Sequence, residues 1–348
     1  MTTTGRFFCA DAARTRGDSI VGTAPHGTAW VLIEYRGGWP ADGFDGLDLE
    51  PGTKALVFAA ARAERARVLL VRRHGRRVPQ GPPRWAVLRY DGTGAHRQHW
   101  GTWGRDEDLA QIVQALGTPG EPGGRPVVLV CAHGLHDACC AVRGRPVARA
   151  LSERRPDLVW ECTHVGGDRF AANVVVVPDG VYYGNLDAGS AVTVVEEHLA
   201  GRIRAEHLRG YTDLFPPQQA AVAAVLDRFG PAGRHDYAVA RTVRDDDGWQ
   251  IRVTGRPPGP AAADGEADAE VGIKAEVEAE VEVEVEVEVE AEVEVEVEVE
   301  VDVVAEIDVV AEIDVEVRAR HTPRNRLTCR GPATSSAVVY DAVPIRPG

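Results

Sequence analysis

The sequence predicts an α/β protein. It has an N-terminal α/β region, a central strand–helix–strand–hairpin module, and a small C-terminal α+β extension interrupted by an acidic low-complexity insert. Three observations carry this. Apolar, β-branched runs alternate with segments of helical periodicity over the first 120 residues. Two uninterrupted valine-rich runs, Val127–Val130 and Val174–Val177, read as strands buried on both faces. Beyond residue 200, one amphipathic helix is followed by a hairpin signal.

In the first region, Ala29–Tyr35, Val68–Val71 and Trp85–Tyr90 read as strands. GWPADGF and LEPGT are loop signals, and Ala55–Arg67 suits a helix. Leu109, Ile112, Val113 and Leu116 fall on one helical face, with Gly117 as the stop. His96, His99, Trp100 and Trp103 form an aromatic-rich loop, read as packing. In the central module, the run from Val127 ends at Cys131. Pro146 sits in a first helical turn, with Val147, Ala150 and Leu151 on one face. Val174–Val177 closes on the turn Pro178-Asp179-Gly180 and Val181–Tyr183 follows. Strand, loop, helix, loop, hairpin is the order of a thioredoxin-like half-domain. Pro217 then opens a helix with Val222, Val225, Leu226 and Phe229 on one face. Tyr237–Val243 and Trp249–Val253 flank a turn at Asp245–Gly248, and Leu327–Cys329 and Val338–Tyr340 read as strands resuming that sheet. The parts are therefore 1–120, 121–200, 201–258, the insert 259–317, and 318–348.

The insert dominates the charge. The chain of 348 residues carries −14, yet the stretch 264–316 holds 23 of its 53 acids and one of its 39 bases, leaving a body with 38 bases against 30 acids. From Val277 to Val303 every odd position is Val or Ala, and two copies of VVAEID follow in the same phase, a period that fits a strand and no helix face. At about 3.3 Å per residue the whole tract is far longer than an ordinary strand. It reads as an expanded repeat in a hairpin loop, disordered or transiently extended. No run of about 18 apolar residues occurs, so no membrane-spanning helix is expected. The N-terminus lacks an apolar leader core, and a cytoplasmic location follows, where clustered thiols stay reduced. Arg72, Arg73, His74, Arg76 and Arg77 make a basic run without interleaved aromatics, and no phosphate-binding glycine loop is present, so no nucleic-acid partner is expected.

The chemistry lies between Val127 and Gly184. Four of the six cysteines (Cys131, Cys139, Cys140, Cys162) and three histidines (His133, His136, His164) fall there. Thiolates with imidazoles select zinc, copper(I) or iron–sulfur. Four ligands drawn from two loops satisfy a tetrahedral zinc or the two irons of a [2Fe–2S] cluster. Buried structural cysteines and a thiol redox pair at Cys139/Cys140 are the other readings. Cys9 and Cys329 read as structural.

CAHGLHDACCAVRG (131–144), WECTHVGGDRFAANVVVVPDG (160–180) and YYG (182–184) resemble the signature of the sucrase/ferredoxin-like family, as do GTAP (22–25) and RLTC (326–329). The resemblance spans roughly 5–250 and 318–345 and leaves the acidic tract outside. It implies a thioredoxin-like ferredoxin module holding a [2Fe–2S] cluster through two cysteines and two histidines. Cys131 and Cys140 match the cysteines, His164 matches the first histidine, and Asp168 stands at the second. Cys139 and Cys162 are alternative fourth ligands. Imidazole ligation implies a potential above that of all-cysteine ferredoxins, varying with pH. The expectation is an electron carrier or redox sensor, not an enzyme with its own substrate. No carboxylate pair is placed for glycoside hydrolysis. Arg143, Arg145, Arg149 and Arg169 are candidates for docking an acidic redox partner protein. The alternatives are a zinc-stabilised, non-redox binding protein and a thiol–disulfide oxidoreductase.

Overall fold

The computed structural model describes residues 6–76, 81–92, 96–256 and 311–345. A short helix α1 (Cys9–Arg16) precedes the first unit, β1 (Ala29–Glu34), α2 (Pro51–Ala63), β2 (Arg67–Arg72), β3 (Arg84–Tyr90), β4 (His96–Thr102), α3 (Gln111–Leu116) and β5 (Glu121–Pro122). The second unit is β6 (Val127–Cys131), α4 (Ala138–Arg154), β7 (Val159–Cys162), β8 (Val174–Val177), β9 (Val181–Tyr183) and α5 (Ala188–Leu199). β10 (Leu208–Tyr211) and α6 (Pro216–Phe229) follow, then β11 (Tyr237–Arg244), β12 (Trp249–Gly255), β13 (Ala311–His321) and β14 (Val338–Ile345).

The two units share one connectivity. β1 runs parallel to β2 and antiparallel to β3, which pairs antiparallel with β4. In the same way β6 is parallel to β7 and antiparallel to β8, which pairs with β9. The chain therefore carries the thioredoxin-like order twice, once more than the central module alone predicts. The edge strands β2 and β7 pair antiparallel through Val71–Cys162 and Arg72–Glu161, giving a ten-stranded sheet, β10-β9-β8-β6-β7-β2-β1-β3-β4-β5.

Strand alternation sorts the side chains. In β1 and β3, Val31, Ile33, Trp85 and Val87 pack under α2 and α3. In β6 and β8, Val128, Val130, Val174 and Val176 pack under α4, α5 and α6. The other faces meet each other: Trp30, Leu32, Ala86 and Leu88 share one core with Leu129, Trp160, Val175 and Tyr182. The sheet curls so that its two halves bury a common face.

A bridge of Asp179, in the β8–β9 turn, to His198 on α5 at 2.8 Å and to His96 on β4 closes that curl. The hydrogen bond to Asp179 raises the His96 pKa, against the opposing effect of burial. A raised folded-state value stabilises the protein below the unfolded histidine pKa of about 6.5, and that contribution fades as pH rises through the folded value. His96→Ala is thus expected to cost on the order of 1 kcal/mol more at pH 5.5 than at pH 9, read from urea unfolding at the two pH values. An equal loss at both would refute the ionic bridge.

The small sheet β11-β12-β13-β14 is antiparallel throughout and packs on α6. Here the structure corrects the insert boundary at 317. Ala311–Val317, the end of the alternating tract, is strand. Its odd residues Ile313, Val315 and Val317 are buried against α6, and Arg252 on β12 bridges Glu312 and Asp314 at 2.9 Å each. The rest of the repeat up to 310 lies outside the described residues. Other boundaries also move. Residues 96–102 form a strand, not an aromatic loop, because β3 and β5 supply ladder partners that pattern cannot reveal. The helix expected over Ala55–Arg67 starts at Pro51, capped by the Glu50 carboxylate, and Arg67 opens β2. Leu327–Cys329 is irregular backbone rather than strand. The first two residues of the basic run are tied inward: Arg72 lies over Trp39 and bonds Glu161 at 2.9 Å, and Arg73 lies over Trp160 and bonds three carbonyls. Arg77 lies outside the described residues.

Candidate metal centre

The centre forms where β6 ends and α4 begins. Asp137 caps α4, accepting from the Cys139 amide at 2.8 Å, so Cys139 and Cys140 occupy the first helical turn instead of a loop. The helix thus begins eight residues before Pro146, which sits in its interior and not in its first turn. Gly144 lets this helix lie directly on the strand end, since a Cβ there would come 2.0 Å from the Cys131 carbonyl oxygen. Gly144→Ala is expected to destabilise the fold by about 2–4 kcal/mol through that clash and to separate Cys140 from Cys131. Urea unfolding and metal content of the purified variant check both effects.

Cys131, Cys140 and His164 present their donor atoms within 4.8 Å of one another, as do His136, His164 and Asp168. His164 belongs to both groups. Cys140 Sγ lies 3.7 Å from His164 Nδ1 and donates to Asp168 Oδ1 at 3.3 Å, and His164 Nδ1 is 3.1 Å from Asp168 Oδ1. The His136 ring stacks on His164 with centroids 3.8 Å apart. The two thiols and Asp168 are buried, His164 is half-buried, and His136 is exposed. Hydrogen bonding from Cys140 and His164 holds the Cys131 thiol well below its ordinary range, whereas the proton it shares raises Cys140. Burial raises the Asp168 carboxyl. A metal replaces such shared protons.

The supports were only partly visible in sequence. His133, counted with the cluster, is a strut: Nε2 donates to the Pro40 carbonyl at 2.7 Å and Nδ1 accepts from the His164 amide at 3.4 Å. Burial lowers its pKa, consistent with a neutral ring that donates once and accepts once. Gly166 and Gly167 adopt φ of 91° and 79°, the left-handed turn that carries His164 past the end of β7. Two residues went unmarked. Asn173 takes the Cys131 amide on its carbonyl at 3.1 Å and donates to the Gly167 carbonyl at 2.9 Å. Arg209, fully buried on β10, donates to Gly166 O, Asn173 Oδ1, Thr23 Oγ1 and Thr23 O at 2.6–3.0 Å. Burial pulls its pKa down to about 10. The GTAP segment is thereby fastened to the centre, and Gln219 on α6 fixes it from the other side through both polar groups of Ala24. The RFAAN string (169–173) was the only signal for Asn173, and nothing near Arg209 marked it.

Neither alternative fourth donor joins a donor group with Cys140 among the described residues. Cys162 lies in the same core cluster as Cys131 and Cys140. Cys139 points to Cys9 and Cys329, with Sγ separations of 3.6 and 3.4 Å. His136 takes their place beside Asp168. The arginines named for docking divide: Arg143 pairs with Asp11, Arg149 with Glu153 at 3.0 Å, Arg169 packs on Phe170, and Arg145 is exposed.

Two buried thiols facing an imidazole and a carboxylate at the end of β6 form a mixed-donor group that could hold a metal ion. The sucrase/ferredoxin-like family model matches residues 20–210, more than half of the chain, and the protein belongs to that family. No curated protein and no solved structure matches the chain. Among the described residues no helix is long and apolar enough to cross a membrane.

Proposed function

We propose that Cys131, Cys140 and His164, with Asp168 as fourth ligand, hold a [2Fe–2S] cluster, and that the protein is an electron carrier or redox sensor. The supporting observation is the division of the donors. A fully buried thiol pair lies inside, and a His–Asp pair joined at 3.1 Å lies at the rim. That is the donor order of a cluster with thiolates on one iron and harder ligands on the other. A cluster held there supplies one-electron oxidation and reduction. The protein's part is to keep the thiols dry, to aim His164 through the His133 strut, and to place it near the surface. His136 stands ready as the other imidazole at the rim.

The rim around His136 is where a redox partner docks. Leu135 and Val142 are both more than half exposed beside it, and Arg145 is an exposed cation on the same helix. An apolar centre with a basic edge suits a partner with an acidic rim. The separations of 3.1–3.7 Å also favour a second reading, one tetrahedral zinc on the same donors. Cys139 and Cys140 enter different donor groups, so disulfide exchange on that pair gains no geometric support. Anaerobic purification separates these. A brown protein with two irons per chain, whose visible bands bleach with dithionite, supports the cluster. Colourless protein holding zinc on Cys140 supports the second reading, and metal-free protein refutes both.

A further inference from the structure

The titratable groups outside this centre include one that its chemistry leaves unused. Cys9 opens α1, Cys139 is the second residue of α4, and Cys329 lies between β13 and β14. These positions, 130 to 320 residues apart in sequence, form a triangle with Sγ separations of 3.6 Å (Cys9–Cys139), 3.4 Å (Cys139–Cys329) and 3.6 Å (Cys9–Cys329). The two Asp137 carboxylate oxygens lie 3.8 and 3.9 Å from Cys9 Sγ, and all four donors fall within 4.8 Å. We propose that Cys9, Cys139, Cys329 and Asp137 bind a structural zinc ion, separate from the centre at Cys131 and Cys140.

Four features carry this. A tetrahedral zinc with bonds of about 2.3 Å to sulfur sets its sulfurs about 3.8 Å apart, within a few tenths of the observed edges. Four backbone amides orient three of the four donors: Cys9 N donates to Cys329 Sγ and Ala10 N to Cys139 Sγ, both at 3.5 Å. Cys139 N and Cys329 N each donate to Asp137 at 2.8 Å. Such outer hydrogen bonds fix metal ligands in place. Asp137, Cys9 and Cys139 are at most 1% exposed, with Phe7, Phe8 and Ala171 packed around them, and among the described residues no cation pairs with Asp137. A buried carboxylate beside three thiols, with no cation paired to it, is a group that a metal ion completes. Three sulfurs also cannot pair off as disulfides, and the oxygen donor favours zinc over copper(I).

Binding one Zn2+ displaces the three thiol protons and leaves a complex of net charge −2. Arg14 and Arg169 interact electrostatically with Cys139 and Cys9 and offset that charge. Cys9 and Cys329 lie outside residues 20–210, so the ion staples both flanks of the chain onto the family module. Part of its binding free energy then stabilises the fold.

The test uses the full chain, purified anaerobically, stripped of metal and titrated with Zn2+ against a chromophoric chelator. In a Cys140→Ser background, which removes the thiol pair of the main centre, the expected result is tight uptake of one zinc with release of about three protons. Adding Cys9→Ser or Cys329→Ser should weaken that uptake more than about 100-fold. X-ray absorption on the Cys140→Ser protein loaded with one equivalent should show three sulfurs and one oxygen, a readout that needs neither added variant to fold. The proposal is overturned by failure of the Cys140→Ser protein to bind zinc, by two sulfurs per zinc, by uptake unchanged when Cys9→Ser or Cys329→Ser is added, or by a disulfide among the three cysteines in the anaerobic protein.

Discussion

Cys140→Ser is expected to lose the metal of the main centre, with more than about a tenfold fall in bound iron and no visible charge-transfer bands. The reason is positional. Cys140 Sγ links the buried thiol pair to the rim pair, touching His164 Nδ1 at 3.7 Å and Asp168 at 3.3 Å. A serine oxygen at that point is a harder donor on a shorter bond, facing a site whose other inner ligand is a thiol. Cys162→Ala is the matched control. That thiol is equally buried, stands beside Cys131 in the β6–β7 register and shares its core cluster, but it joins no donor group among the described residues. Its loss should cost about 1 kcal/mol of stability and leave the iron in place. Metal analysis and absorption spectra of the two variants decide the matter. Equal iron loss in both would move Cys162 into the ligand set.

Arg209→Met is expected to lower stability by about 3–4 kcal/mol. The guanidinium is 1% exposed and gives four hydrogen bonds, none to a carboxylate. Removing it leaves Gly166 O, Asn173 Oδ1 and both oxygens of Thr23 without that donor in a dry interior, which costs more than the methionine recovers in packing. Arg209→Lys should rescue little, because one ammonium on a flexible stem does not reproduce a planar fork reaching three segments. Equilibrium unfolding in urea measures both variants. A loss under 1 kcal/mol for Arg209→Met would show that these segments hold together without it.

The link from Arg209 to the centre also shows where sequence reading stops. β1, β3, β6 and β8 were legible because runs such as AWVLIE, WAVLRY and VVLV have no other way to bury themselves. That Cys131, Cys140, His164 and Asp168 come near one another was legible because the motifs around them are long. β4 was not: HRQHWGT is polar, and only pairing with β3 and β5 makes it a strand. Nor was Ala311–Val317 separable from the rest of the repeat. The same alternation runs on both sides of residue 311, and within the described part α6 lies beneath Val315 and Arg252 beside Asp314.

By itself, then, the sequence determined the strand and helix periods, the sign and place of its charge, and which residue types meet at the end of β6. Those are local properties, fixed within a few residues by propensity and pattern. Only the tertiary structure decided that the thioredoxin-like order occurs twice and curls onto one core. It also decided that His136 joins His164 at the rim, and that neighbouring cysteines 139 and 140 serve different donor groups. The reason is geometric. Successive residues of a helix point about 100° apart, so adjacent thiols diverge, and their partners come from chain segments as far away as Cys9 and Cys329, which no local pattern brings together.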